Sequence, residues 1–147
     1  MNSKNIRLQM DINTPNAKMP TYSSGQAAGL DLYAAESASI ASGQTRLIKT
    51  GLKMEIPEGY FGGIYARSGL SVKHGLRPAN CTGVIDSDYR GEIMVALHND
   101  SPMMQIISAG DRIAQLIIQP YERVEFTIVD DLSDTERGEG GFGSTGI

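Results

Sequence analysis

The sequence predicts an all-β domain. Helical periodicity is nearly absent, short β-type runs recur, and turn signals separate them at intervals of roughly ten residues, as in a sandwich or barrel. The turn candidates are Ala41-Ser42-Gly43, Pro57-Glu58-Gly59, Asn99-Asp100-Ser101-Pro102 and Ala109-Gly110-Asp111. At 147 residues the chain is expected to be one domain with a core of its own.

Strands are expected over residues 7–10, 45–49, 60–66, 92–97, 113–119 and 124–129. Glu92-Ile93-Met94-Val95-Ala96-Leu97 is apolar almost throughout, which predicts burial on both faces. Val124-Glu125-Phe126-Thr127-Ile128 alternates, which predicts a strand with one face in water. One short helix is expected over 69–74, with Ser68 as its N-cap. Tryptophan is absent, so the core should rest on aliphatic and methionine side chains. Asp130-Asp131-Leu132-Ser133-Asp134 reads as a solvated arm leading to a glycine-rich end. The expected organisation is a β domain over 1–136, two packed sheets or a jelly roll, and a flexible segment over 137–147.

Thirteen basic and seventeen acidic residues give a net charge of −4, which argues against a non-specific grip on nucleic acid. A small anionic ligand held by a few local arginines remains compatible with it. The single cysteine, Cys81, excludes an intrachain disulfide and a cysteine-cluster metal site, and reads as a small buried residue. No stretch is long enough to span a membrane, and the N-terminus has no apolar run of signal-peptide length. The expectation is a soluble, cytoplasmic protein.

Five segments carry candidate chemistry. The last eleven residues, Arg137-Gly138-Glu139-Gly140-Gly141-Phe142-Gly143-Ser144-Thr145-Gly146-Ile147, combine five glycines with an arginine, an aromatic ring and two hydroxyls. An arginine fork and hydroxyl donors suit phosphate, and a ring suits a base. A solvated, disordered terminus is the other reading of that composition. Ala28-Gly29-Leu30-Asp31-Leu32 places an aspartate after a turn glycine. Ala66-Arg67-Ser68-Gly69-Leu70-Ser71 follows an apolar strand and opens the expected helix, where free N–H groups favour an anion. Asn80 to Glu92 contains Asp86-Ser87-Asp88-Tyr89 between two apolar stretches, which reads as a β-hairpin. Asp86, after two β-branched residues, is expected to be partly buried at its mouth, placed to orient a water. Gly110 to Ile117 holds one amide, Gln115, in an apolar run, where it needs a protein or ligand partner. The histidines, His74 and His98, lie in unrelated contexts, and neither a zinc-site spacing nor a P-loop with its lysine is present.

Taken together and in this order, these segments resemble the five motifs of the trimeric dUTP diphosphatase (dUTPase) family. The resemblance runs from Ala28 to the C-terminus, and its most specific parts are Gly83 to Gly91 and the Arg-Gly-x-Gly-Gly-Phe-Gly-Ser-Thr-Gly tail. It implies a jelly-roll-like β-clip barrel in a homotrimer with shared active sites. The activity it implies is hydrolysis of dUTP to dUMP and pyrophosphate by water attack on the α phosphorus. That reaction keeps uracil out of DNA and supplies dUMP for thymidylate synthesis.

By the same resemblance, Asp86 is the catalytic residue. Main-chain groups of Val84, Ile85 and Met94, with Asn80, read the uracil, and Tyr89 lies against the deoxyribose. Arg67, Ser68, Gly69 and Gln115 hold the α and β phosphates. Arg137, Ser144 and Thr145 hold the γ end, Phe142 stacks over the base, and Gly143 between them is a further substrate-binding residue. Mg²⁺ is carried by the triphosphate and waters with no direct protein ligand. Asp31 either bonds those waters or braces its motif, and bracing is the favoured reading. The tail is implied to be mobile without nucleotide and a lid with it. One departure is Ala66, where the family usually has proline. A dCTP deaminase or bifunctional deaminase-diphosphatase on the same fold, and a dUTP-sensing binding module, are the alternatives.

Overall fold

A computed structural model of the chain describes residues 5–11 and 13–141. In chain order its elements are β1 (Arg7–Met10), β2 (Thr21–Tyr22), β3 (Leu30–Tyr33), β4 (Ala38–Ile40), β5 (Thr45–Lys49), β6 (Leu52–Glu55), β7 (Tyr60–Tyr65), α1 (Ser68–His74), β8 (Leu76–Pro78), β9 (Gly83–Ile85), β10 (Met94–Asn99), β11 (Gln105–Ile107) and β12 (Arg112–Pro120). The strands form a five-stranded sheet, β2-β3-β12-β7-β9, a three-stranded sheet, β5-β10-β8, and two ribbons, β1-β6 and β11-β4. The all-β expectation holds, and the strands expected at 7–10 and 45–49 have those limits.

β12 is the spine of the larger sheet, pairing antiparallel with β3 on one side and β7 on the other. Its register against β3 slips between Arg112 and Ala114. The extra residue rephases the strand, so that the consecutive Ile113 and Ala114 are both fully buried. The core between the sheets is built from Leu32, Ile40, Ile48, Leu52, Leu76, Ile93, Val95, Leu97, Ile107 and Leu116. Each such side chain contributes about 1.5–3 kcal/mol of burial. Among the described residues Met54 is the one methionine in this core, while Met19, Met103 and Met104 are exposed. The core is therefore aliphatic, as suits branched side chains on a pleated surface, and the expected methionine share is corrected.

Four further expectations change. The apolar run at 92–97 is not buried on both faces. Its strand begins at Met94, Val95, Leu97 and Asn99 point inward, and Met94 is exposed. β10 packs one face on the core, so ordinary alternation applies. The strand expected at 124–129 is absent, and Phe126 and Ile128 are 93% and 98% exposed. The segment leaves the body after Tyr121 N–H bonds the Gly59 carbonyl (3.1 Å), and among the described residues no strand pairs with it to complete a ladder. The helix starts one residue earlier than expected: Arg67 is the N-cap, with φ −89° and ψ 125°, and Ser68 is already helical. Gly75, at φ 66°, ends it, and a Cβ there would stand 2.9 Å from the Ser101 nitrogen. Finally, Cys81 is exposed, not buried. It sits at φ 60° in a tight turn closed by its N–H to the Pro78 carbonyl (3.0 Å), which turns its side chain outward.

Candidate active site

Three of the five segments meet on the larger sheet. Register places Asp31 opposite Gln115, and Gln115 opposite Tyr65, so the three form one row across β3, β12 and β7. Directly paired residues share a face. Asp31 is 6% exposed, and each carboxylate oxygen accepts from one guanidinium: Arg67 Nε at 3.0 Å on Oδ1 and Arg112 Nη1 at 3.5 Å on Oδ2. Arg67 also donates to the Arg112 carbonyl (3.2 Å). The buried aspartate thus fixes the arginine at the mouth of the helix, and the cluster keeps a net positive charge. Ser68 and Gly69 open α1, so their N–H groups have no acceptor one turn earlier in the helix.

Gln115 Nε2 donates to the Ala66 carbonyl (3.2 Å), so its partner within the chain is protein backbone. A proline at 66 would offer the same carbonyl, so the departure at this position leaves that contact intact. Gly29 lies against the same amide: a Cβ at 29 would come within 2.8 Å of Gln115 Oε1. The first, second and fourth segments are therefore packed on one another.

The remaining internal segment forms a second constellation. β9 pairs with β7 through Gly83↔Ile64, Val84↔Gly63 and Ile85↔Gly62, and it is the edge strand of its sheet. Residues 86–89 turn, with Tyr89 N–H on the Asp86 carbonyl (3.1 Å). The flanking stretches do not pair with each other, which corrects the hairpin expectation: the turn carries the chain from the five-stranded sheet to the three-stranded one. Asp86 is exposed rather than partly buried, because alternation sends Gly83 and Ile85 inward and Val84 and Asp86 outward. Arg90 braces the turn, donating to the carbonyls of Ser87 (2.7 Å) and Tyr89 (3.0 Å).

Beside this turn lies a cavity of about 240 Å³ lined by Leu47, Ile64, Asn80, Gly83, Val84, Ile85, Asp86, Tyr89, Glu92, Ile93 and Met94. It brings together Asn80, Val84, Ile85, Asp86, Tyr89 and Met94, six of the residues expected from the sequence. Arg67, Ser68, Gly69 and Gln115 are not among its walls. Val84 and Asp86 also border a wider depression of about 820 Å³ with Arg90 and Arg123 on its rim.

Arg137 is exposed, and its Nε donates to its own turn at the Gly140 carbonyl (2.7 Å). Phe142, Gly143, Ser144 and Thr145 lie outside the described residues. Sequence reasoning missed Arg112 and Glu92. Both lie within segments singled out for other residues, but their partners lie far away along the chain.

Two groups away from the site have displaced titrations. The Asn13 backbone N–H and the Thr14 hydroxyl hold the Asp11 carboxyl below its ordinary value. The hydrogen bonds to Asp100 raise the Arg77 guanidinium. His98 is held between Thr45 and Asp100. Among the described residues no helix is long and apolar enough to cross a membrane, and no group of three or more His, Cys, Asp or Glu side chains is placed to hold a metal ion.

Comparison with known proteins agrees with this geometry. The dUTPase family model matches residues 15–146. The deoxyuridine 5'-triphosphate nucleotidohydrolase of Anaeromyxobacter sp. (strain Fw109-5) is 50% identical over 132 residues, 90% of each chain. That of Nautilia profundicola is 48% identical over 141 residues, covering 96% of this chain and 99% of the relative. Among solved structures, a mutant dUTPase of Staphylococcus bacteriophage 80alpha with dUpNHpp superposes with a TM-score of 0.90 at 30% identity, covering 99% of this chain and all of that one. A mutant dUTPase from phage phi11 of S. aureus, described with a structural Mg(II) ion, gives 0.81 at 26% identity, covering 89% of this chain and 100% of that one. With its motif order, its fold and these likenesses in agreement, the chain belongs to the dUTPase family and is an enzyme that hydrolyses dUTP.

Proposed function

We propose that water attacks the α phosphorus of dUTP at a site shared between chains of a homotrimer, releasing dUMP and pyrophosphate. The observation that carries this reading is the cavity gathering Asn80, Val84, Ile85, Asp86, Tyr89 and Met94. β9 is an edge strand, so one row of its backbone N–H and C=O groups faces no further strand. A uracil edge offers acceptor, donor and acceptor in a row and can pair there much as another strand would. Cytosine reverses two of those groups and leaves buried polar atoms unpaired, and the thymine methyl meets the cavity wall. Tyr89 packs on the deoxyribose and leaves no space for a 2'-hydroxyl.

The Asp86 carboxylate, exposed at the lip of the cavity, orients a water and takes its proton as the water attacks. Its exposure lets that water arrive without any opening of the fold. Arg67, Ser68, Gly69 and Gln115 bind the α and β phosphates. Residues 137–147 close over the site, with Arg137, Gly143, Ser144 and Thr145 on the γ phosphate and Phe142 on the base.

Magnesium fits this donor set when carried by the substrate. Both Asp31 oxygens are engaged by arginines, so Asp31 braces Arg67. Mg²⁺ favours phosphate oxygens and retained waters. Bound across the triphosphate, it would neutralise charge that the arginines alone leave uncompensated. The exposed alternating arm at 124–129, with Phe126 and Ile128 uncovered, supports an assembly in which another chain covers it. We place the enzyme in the cytoplasm, acting on free nucleotide to keep uracil out of DNA and supply dUMP.

The test is pyrophosphate release with magnesium on dUTP, dTTP, dCTP and UTP. Turnover confined to dUTP is expected, and similar rates on all four would refute the uracil pocket. Asp86→Asn should abolish turnover while dUTP binding persists, and unchanged turnover would remove Asp86 from the mechanism.

A further inference from the structure

We infer that Glu92, which lies just outside the motif ending at Gly91, is the positioning residue that sets Tyr89 and thereby the choice between deoxyribose and ribose. The inference rests on the reading that Tyr89 lies against the sugar. Tyr89 is tied at two points: its N–H bonds the Asp86 carbonyl, and its hydroxyl donates to the Glu92 carbonyl (3.0 Å). The ring lies over Gly91, where a Cβ would overlap the tyrosine hydroxyl. The place of the ring is therefore set by the place of the Glu92 backbone.

That backbone is held by a clamp on residues 50–52. The Gly51 N–H donates to Glu92 Oε1 (2.9 Å), the Ile93 N–H donates to the Leu52 carbonyl (2.8 Å), and the Thr50 hydroxyl donates to the Ile93 carbonyl (2.5 Å). Thr50 is fully buried, and Asp11 N–H pins the Gly51 carbonyl from the other side (2.8 Å). β10 begins at Met94, so no ladder bond reaches position 92 from that strand. The Glu92 carboxylate adds a side-chain attachment at Gly51 to the Ile93 N–H bond that holds the same peptide, and without it the buried Gly51 N–H loses its acceptor.

The experiment measures kcat/KM for dUTP and for UTP, with thermal unfolding as a control for folding. Glu92→Leu should lower the dUTP-to-UTP ratio about tenfold, equivalent to about 1.4 kcal/mol, chiefly by raising UTP turnover. Glu92→Gln keeps an acceptor oxygen at the same place and should recover the ratio. Gly91→Ala moves the ring while leaving Glu92 intact, and should lower the ratio similarly. It also serves if Glu92→Leu does not fold. A ratio unchanged in Glu92→Leu but lowered in Gly91→Ala would overturn the role of Glu92. So would equal loss in the Leu and Gln variants. A ratio unchanged in both Gly91→Ala and Tyr89→Ala would overturn the sugar reading itself, and the inference with it.

Discussion

Removing the Asp31 carboxylate tests whether the arginine at the helix mouth is held from beneath. In Asp31→Ala the 3.0 Å bond from Arg67 and the 3.5 Å bond from Arg112 are both lost. A hydrogen bond to a charged group is worth about 1.5–3 kcal/mol when partly buried. The Arg67 side chain is 24% exposed, so solvent screening places it near the lower end of that range. Arg112 is half exposed, and its longer contact adds about 0.2–1 kcal/mol. The total is about 2–3 kcal/mol for alanine. In Asp31→Asn the Arg67 bond survives as a weaker charge–dipole contact, but the amide nitrogen then faces Arg112, so roughly half the loss is expected. At a fixed protein concentration, about 2–4 °C of melting temperature per kcal/mol applies to a chain of this size. Alanine should therefore melt several degrees below asparagine, and asparagine below the parent. Both should raise KM for dUTP more than they lower kcat if Arg67 is a binding group. The assays are thermal unfolding and steady-state pyrophosphate release. An alanine variant with unchanged melting temperature and unchanged KM would refute the bracing role.

Gly51 sits at φ 70°, and a Cβ there would approach Ala17 Cβ at 2.7 Å. Gly51→Ala should cost about 2–4 kcal/mol from the left-handed backbone and the overpacking together, while Gly43→Ala, at φ 73° in open space, should cost about 1–2; denaturant midpoints check the contrast. The Asp11 carboxyl is held below its ordinary value by the Asn13 N–H and the Thr14 hydroxyl. Its stabilising contribution is present above the unfolded value of 3.8 and is lost as pH falls through the lower folded value, so an NMR titration should place its midpoint below 3.8.

The sequence made some of this architecture legible and concealed the rest for identifiable reasons. Longer apolar runs announced themselves: Tyr60–Tyr65 and most of Arg112–Pro120 stand out between turn signals. Strands of two or three residues, such as Thr21–Tyr22 and Ala38–Ile40, are stabilised by pairing with distant partners and leave no pattern of their own. Periodicity also reports what a segment could pair with, not whether the partner belongs to the same chain, which is why residues 124–129 read as a strand and stand uncovered. The motif residues were legible as chemical types in order. Their supports were not: Arg112 meets Asp31 across 81 positions, and Glu92 reaches Gly51 across 41. Burial of Asp86 was misjudged because Val84, though β-branched, faces outward beside it.

The separation of the two constellations makes the shared site testable. In one chain β7 lies between them: β9 flanks it on one side, and β12, with Gln115, flanks it on the other. Two strand spacings amount to roughly 10 Å. The cavity beside Asp86 is walled without Arg67, Ser68 or Gln115. If the base pocket of one chain completes the phosphate row of its neighbour, two inactive variants can rescue each other. Asp86→Asn leaves the phosphate row intact, and Arg67→Gln leaves the turn intact. In threefold assemblies formed at random from equal amounts of both, about a quarter of the sites would draw an intact half from each chain. Co-expressed and tagged so that mixed assemblies can be isolated, the pair should recover a comparable fraction of parental pyrophosphate release, whereas each variant alone stays inactive. If each site were built within one chain, every chain in the mixture would carry a defect and activity would not return. Mixed assemblies that stay inactive would therefore refute the sharing and require one chain to bridge both constellations.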